Sequence, residues 1–510
     1  MHRSVFLTCM HTGVVRVQAS SVLSSFRGTQ LIIILAGFIV CSSAEAQVQR
    51  LELGRRLQRF EHAWDTADTN QRAACVEPLK AAVNNFFSLR LNEAGRQLDS
   101  AWQSARGIQP TVFEQGTVGL QILATPVCAD AEVTSIRIEL KPFYDSKLPV
   151  PADSSLHLQI RDRDANAICE TSVPVSEAMM FAIWETGALP AGDHRLSATV
   201  KGMEESFTFP DVTISRVDRL SERLKHLKEV ADSLKSQTND AIDSQPESAN
   251  ATIAATLLDA SNTIQSVSQG KVQETDYPVL SRLEFCEHLA KTAADPSEKF
   301  VEYGTQKDIW LVLSKDRRTV PTRLRCPENI NNPVPVLFVF HGAGGSENMF
   351  FETYGAGRVI REAERRGWLV VSPRQGLFGL SLDITEMLDA LTPFIAVNRS
   401  RVLLLGHSMG AGQVLQQVQK HPELPLAAAA LGGGRRFSTK EPQKHSRIIW
   451  FVAAGDEDFG KQGARQLHEG LRNAGVRSSF KIYPDVEHLV VVQAAIDDVF
   501  AFYDEVLKQN

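Results

Sequence analysis

The hydrophobic pattern changes period four times along the chain. Residues 47–108 carry apolar positions at three- and four-residue spacing: Leu57, Phe60 and Trp64, then Val76, Leu79, Val83, Phe86 and Phe87. That spacing predicts a pair of amphipathic helices packed on a neighbour, with the aromatic residues in the core. Pro78 fits the second helix only within its first turn. Residues 109–215 alternate instead. Residues 135–140 and 155–161 switch strictly between polar and apolar, and residues 190–200 read as a turn into another strand. Short strands at this spacing predict a small β-sandwich. Residues 216–299 return to the helical period. Val217, Leu220, Leu224, Leu227, Ala231 and Leu234 follow a seven-residue repeat that ends near Pro246, and Ile253, Leu257, Ile264 and Val267 form a second stripe. A helical hairpin within the chain is the reading, with a short dimerising coiled coil as the alternative.

From about residue 300 strands alternate with helices, which predicts a mostly parallel sheet covered on both faces. Residues 308–313 and 319–325 open it, and residues 336–340, 369–373, 401–405, 427–431, 448–453 and 480–483 continue it. A final helix covers residues 490–507. These periods divide the chain into residues 1–46, 47–108, 109–215, 216–299 and 300–510.

The first of these segments is an address. Arg27 precedes an apolar run over residues 31–40, and Ala44-Glu45-Ala46 fits an A-x-A cleavage site. The run is shorter than the roughly 20 residues of an ordinary membrane span. It predicts a secretory signal cleaved after Ala46, an exported protein, and no stable membrane span afterwards. A net charge of −6 over 510 residues, with no long basic stripe, argues against nucleic-acid binding. Cys75, Cys128, Cys169, Cys286 and Cys326 remain after cleavage, none in a metal-binding Cys-x-x-Cys spacing. Cys128 and Cys169 share the β segment, so either a disulfide or two buried thiols fits. Asp162, Asp164 and Asn166 lack the glycine and downstream glutamate of a calcium loop, and a solvated turn is the reading. No metal or cofactor is called for.

Chemistry gathers beyond the carboxyl ends of the parallel strands. Gly406-His407-Ser408-Met409-Gly410 follows one strand and opens a helix. That context turns a G-x-S-x-G pentapeptide into a candidate nucleophile turn. His341-Gly342-Ala343-Gly344-Gly345, Gly455-Asp456-Glu457-Asp458 and Pro484-Asp485-Val486-Glu487-His488 end three other strands. In chain order Ser, Asp, His, they predict that His488 takes the proton of Ser408 as it attacks a carbonyl carbon. A carboxylate then fixes the imidazole tautomer. Asp458 is assigned that role, with Asp456 as the rival. The backbone N–H groups of Met409 and Ala343 are the candidate oxyanion donors. His341 and His407 read as structural neighbours. The Gly-rich loop lacks the Gly-Lys-Ser/Thr of a phosphate cradle.

These residues carry a resemblance. Residues 300–510 resemble the secreted esterase branch of the α/β-hydrolase superfamily, which includes polyhydroxyalkanoate-depolymerase-like and feruloyl-esterase-like proteins. The similar segments are residues 338–345, 354–357, 367–374, 398–402 and 406–411. One departure touches the acid: Asp456 and Glu457 stand where the family usually has small or polar residues. The resemblance implies an α/β-hydrolase fold and an ester substrate cleaved through an acyl-enzyme. A prolyl-oligopeptidase-like peptidase would use the same constellation. A binding protein working through its β segment would leave Ser408, Asp458 and His488 idle. The connection after residue 431 is short where many relatives carry a cap, so an open cleft suited to bulky or polymer-borne esters is expected.

Overall fold

The computed structural model describes residues 44–130, 135–146, 148–151, 153–175, 181–185, 189–239, 245–294, 308–327, 332–376 and 379–509. Residues 1–43, which hold most of the candidate export signal, lie outside them. The described residues start with three helices rather than two: α1 (Ala44–Thr66), α2 (Thr69–Phe87) and α3 (Leu91–Arg106). Asp68 sets the start of α2. Its side chain accepts from the Gln71 N–H at 2.9 Å, and the Gln71 side chain accepts from the Asp68 N–H at 2.7 Å. This reciprocal cap begins the helix well before the apolar stripe does. Pro78 therefore lies inside α2, not in its first turn. A proline there removes one helical hydrogen bond, and burial of Cys75, Leu79 and Ala82 around it keeps the segment helical. The third helix, α3, buries Leu91, Ala94, Leu98, Ala101 and Ala105 and stops at Gly107, whose φ of +63° is a left-handed cap.

After a short helix, α4 (Val112–Thr117), nine strands follow: β1 (Leu120–Thr125), β2 (Cys128–Asp130), β3 (Ser135–Pro142), β4 (Ser155–Arg161), β5 (Ala167–Pro174), β6 (Phe181–Glu185), β7 (Gly192–Lys201), β8 (Ser206–Thr208) and β9 (Val212–Val217). They make one sheet of order β1-β3-β6 and another of order β2-β9-β7-β4-β5, with β8 on β7. The alternating residues do the packing: Ile136, Ile138 and Leu140 from one sheet share a core with Leu156, Leu158 and Ile160 from the other. All five cysteines of the described residues are free thiols. Cys128 and Cys169 sit on β2 and β5, the two ends of one sheet. Four strand spacings of about 4.8 Å separate them, far more than the Cα separation of up to about 7 Å that a disulfide spans. Asp162 accepts from the N–H groups of Asp164 and Asn166 at 2.9 and 2.8 Å, so its turn satisfies itself.

Three more helices come next, where a hairpin was expected: α5 (Leu220–Asn239), α6 (Gln245–Ser268) and α7 (Val279–Ala294). The heptad positions Leu224, Leu227 and Leu234 and the second stripe at Ile253, Leu257 and Ile264 are buried in one core with Leu311, Leu313, Phe338 and Phe340. The repeat thus faces inward, which leaves no seam for a coiled-coil partner.

The large sheet has eight strands: β10 (Asp308–Lys315), β11 (Arg318–Arg325), β12 (Val334–Phe340), β13 (Leu369–Pro373), β14 (Val397–His407), β15 (Pro425–Leu431), β16 (Ile449–Gly455) and β17 (Ser478–Tyr483). Their order is β10-β11-β13-β12-β14-β15-β16-β17. β11 is antiparallel to both neighbours, and every pairing from β13 to β17 is parallel. Helices α8 (Met349–Glu352), α9 (Arg358–Arg365), α10 (Ile384–Leu391), α11 (Met409–Lys420), α12 (Lys461–Asn473) and α13 (Val491–Gln509) are interspersed. The strands are apolar throughout because both faces are buried. Val336, Phe338 and Phe340 of β12 point to the core built with α5–α7 and α10–α12. Leu337 and Val339 point to the opposite core, built with α1–α3, α9 and α13.

The N-terminal helices are thus part of the large sheet's core. Phe60 of α1 has no exposed surface there. Replacing Phe60 with alanine is expected to destabilise the protein by about 3–5 kcal/mol. In urea, the loss should appear as a shift of the transition that unfolds the large sheet. A separate early transition, with the sheet's midpoint unmoved, would contradict the shared core.

Candidate active site

The turn from β14 into α11 places Ser408 at φ +56°, ψ −117°. A non-glycine residue keeps such a conformation only where its surroundings enforce it. They do so by contact. A Cβ on Gly410 would stand 1.9 Å from the Phe340 carbonyl oxygen, and one on Gly406 2.2 Å from the Gly410 carbonyl oxygen. The Ser408 N–H donates to the Leu431 carbonyl at 2.9 Å, which ties the turn to the neighbouring strand. The side chain is left facing a cavity.

The loop after β16 and the loop after β17 meet beside it. Asp458 Oδ1 lies 2.7 Å from His488 Nδ1 and accepts from the Gly460 N–H at 2.6 Å. Burial raises the Asp458 carboxyl, but the hydrogen bond and charge of His488 outweigh it and hold the group below the usual carboxylate range. Asp456 is not part of this contact. Its N–H donates to the Tyr483 carbonyl at 2.9 Å, and its carbonyl accepts from Lys461 Nζ. Of the two candidate acids, Asp458 is the one brought to the imidazole.

The neighbouring histidines act on backbone. His407 Nε2 donates to the His488 carbonyl at 2.9 Å, and burial pushes its imidazole down to about 3, so it stays neutral at physiological pH. His341 Nε2 accepts from the Gln375 N–H at 3.0 Å, and its Nδ1 donates to the Gly342 carbonyl at 2.8 Å. Glu487, which sequence reading passed over, is buried and accepts from the Leu489 N–H at 2.8 Å. Burial pushes its carboxyl up to about 7.

Ser408, His488, Ala343 and the adjoining glycines line one cavity of about 140 Å³. Met409 opens α11 directly behind Ser408 and lies outside that lining. The cavity is partly open, and its opposite wall is one that the sequence did not indicate. That wall comes from α1–α3, through residues that include Leu57, Val83, Phe86 and Leu98. The short connection after β15 does carry no cap, but cover arrives from the far end of the chain. Phe86 and Phe87 both line the cavity: Phe86 is half-buried against the core, as the periodicity implied, whereas Phe87 is 37% exposed. Arg50 of α1 donates to the Gly344 carbonyl and pairs with Glu274 at 3.1 Å. Lys80 of α2 reaches Glu457, next to Asp458, at 2.6 Å. Phe459 covers the His488 ring at a centroid distance of 3.9 Å.

Residues 379–503 match the Dienelactone hydrolase family. The C-terminal module has the α/β-hydrolase fold. In its strand order β12 and β13 are exchanged relative to chain order, and the serine turn follows β14. Among solved structures, the hydrolase module is similar to a ferulic acid esterase at 18% identity, over 39% of this chain and 98% of that one, with a TM-score of 0.35. An S-formylglutathione hydrolase from Agrobacterium tumefaciens is similar at 16% identity, over 39% and 96%, with a TM-score of 0.33. A fluorophosphonate-binding serine hydrolase of Staphylococcus aureus is similar at 15% identity, over 38% and 97%, with a TM-score of 0.34. A search of the curated proteins returned no match.

Proposed function

We propose that the protein is an exported serine hydrolase that cleaves carboxylic esters through an acyl-enzyme. Ser408 attacks the ester carbonyl while His488 accepts its proton. The N–H groups of Met409 and Ala343 receive the charge that develops on the carbonyl oxygen. His488 then protonates the departing alcohol, and a water molecule, deprotonated by the same imidazole, releases the acid. Asp458 holds the imidazole in the tautomer that leaves Nε2 free to accept, and stabilises the imidazolium. The observation that carries this reading is the 2.7 Å contact of Asp458 with His488 Nδ1, beside a serine in a strained turn on the same cavity.

Esters are favoured over peptides by two observations. The matched family is named for hydrolysis of a lactone, a cyclic ester. The helices that wall the Ser408 cavity leave it small and mostly apolar, which suits a compact acyl group better than an extended polypeptide. Export rests on the segment before Ala46.

A fluorophosphonate probe tests the reading. The protein should be labelled, and Ser408→Ala should not. An unlabelled wild type, or labelling that survives the substitution, would remove the catalytic assignment.

A further inference from the structure

The family match spans residues 379–503 and so includes Ser408, Asp458 and His488. The wall facing them does not belong to that stretch. It is supplied by α1–α3, more than 270 residues earlier in the chain (Arg106 to Gly379). The cavity between is mostly apolar on the side of Leu57, Val83 and Leu98. Each of these three side chains is at least nine-tenths buried, and Leu57 and Leu98 belong to the core that α1–α3 share with the large sheet, so neither of those two can swing aside to admit a longer group without opening that core.

We propose that α1–α3 form the acyl-binding wall of the site, and that Leu57, Val83 and Leu98 set the longest acyl group it accepts. The inference rests on the ester-hydrolase reading. The direction of binding follows from the chemistry. The alcohol leaves beside the imidazole of His488, which protonates it. The leaving group thus lies on the His488 side of the cavity, next to the solvent-facing Phe459. The apolar side walled by α1–α3 then receives the acyl group. A cavity of about 140 Å³ is close to the roughly 150 Å³ that holds a benzene molecule in a buried apolar site. The acyl group that fits is therefore about the size of one six-membered ring.

The wall is also fixed relative to the reacting atoms. Phe86 packs on Gly344, where an added Cβ would stand 3.0 Å from the ring. Arg50 binds the carbonyl of the same glycine. A change in the wall is thus felt next to the Ala343 N–H.

The test uses the full chain and 4-nitrophenyl esters from acetate to decanoate. Wild type should show kcat/KM falling by about 10-fold or more per misfitting methylene once the limit is passed. Leu57→Ala, which empties space, should move that limit to longer chains, and Val83→Ile, which fills space, to shorter ones. Fluorophosphonate labelling of Ser408 reports that each variant is folded. Where the deletion does not fold, the filling variant decides alone. An unchanged chain-length profile in a variant that still labels would overturn the proposal. So would a labelled wild type that hydrolyses acetate and decanoate equally well. A wild type that does not label would instead overturn the ester-hydrolase reading beneath it.

Discussion

Ser408→Ala is expected to lower kcat for a short 4-nitrophenyl ester by about a million-fold, and His488→Ala by about as much. The double variant should be no slower than either single one. The reason lies in the proton path. The hydroxyl is a poor nucleophile unless the imidazole takes its proton, and the imidazole has nothing to accept once the hydroxyl is gone. Two groups that act in one step are lost together. What remains is the oxyanion site and substrate positioning, which by themselves leave roughly 10³- to 10⁴-fold over the uncatalysed reaction. Initial-rate kinetics with active-site titration would check this. Additive losses, with the double variant slower by the product of the two effects, would mean that the residues work independently.

The large sheet was legible because strands buried on both faces are unbroken apolar runs, and the runs at 336–340 and 401–405 admit no other reading in a strand–helix alternation. Ser408 was legible because its turn needs two glycines at fixed offsets, and their role is a steric one that any sequence must obey. The N-terminal wall was not legible, for a physical reason. Helical periodicity reports how wide an apolar face is, but not which surface it meets. Phe86 and Phe87 therefore look like core residues in sequence, and only folding brings them to the cavity. The pairings that anchor the wall are equally hidden: Lys80 meets Glu457 across 377 positions, and Arg50 meets Gly344 across 294. Pro78 misled in another way. The stripe that begins at Val76 suggested a late helix start, whereas the polar cap at Asp68 and Gln71 places it earlier.

The acid was the one member of the site that sequence left divided between two residues, and it yields the second large expected effect. Asp458→Asn should lower kcat by about 10⁴-fold, while Asp456→Asn should stay within a few-fold of wild type. Both residues follow the same strand. They differ in what they face. Asp458 presents Oδ1 to His488 Nδ1 at 2.7 Å. Asp456 engages its surroundings through its backbone, to Tyr483 and Lys461. An asparagine at 458 keeps the size of the side chain but can turn an N–H toward the imidazole. His488 then carries its proton on Nε2, the atom that should accept from Ser408. The imidazolium that forms in the reaction also loses its counter-charge. Fluorophosphonate labelling should slow in parallel with kcat, since the same proton transfer activates the serine toward the probe. A large loss at Asp456 with little at Asp458 would reverse the assignment. Equal, modest losses at both would mean that no single carboxylate orients His488.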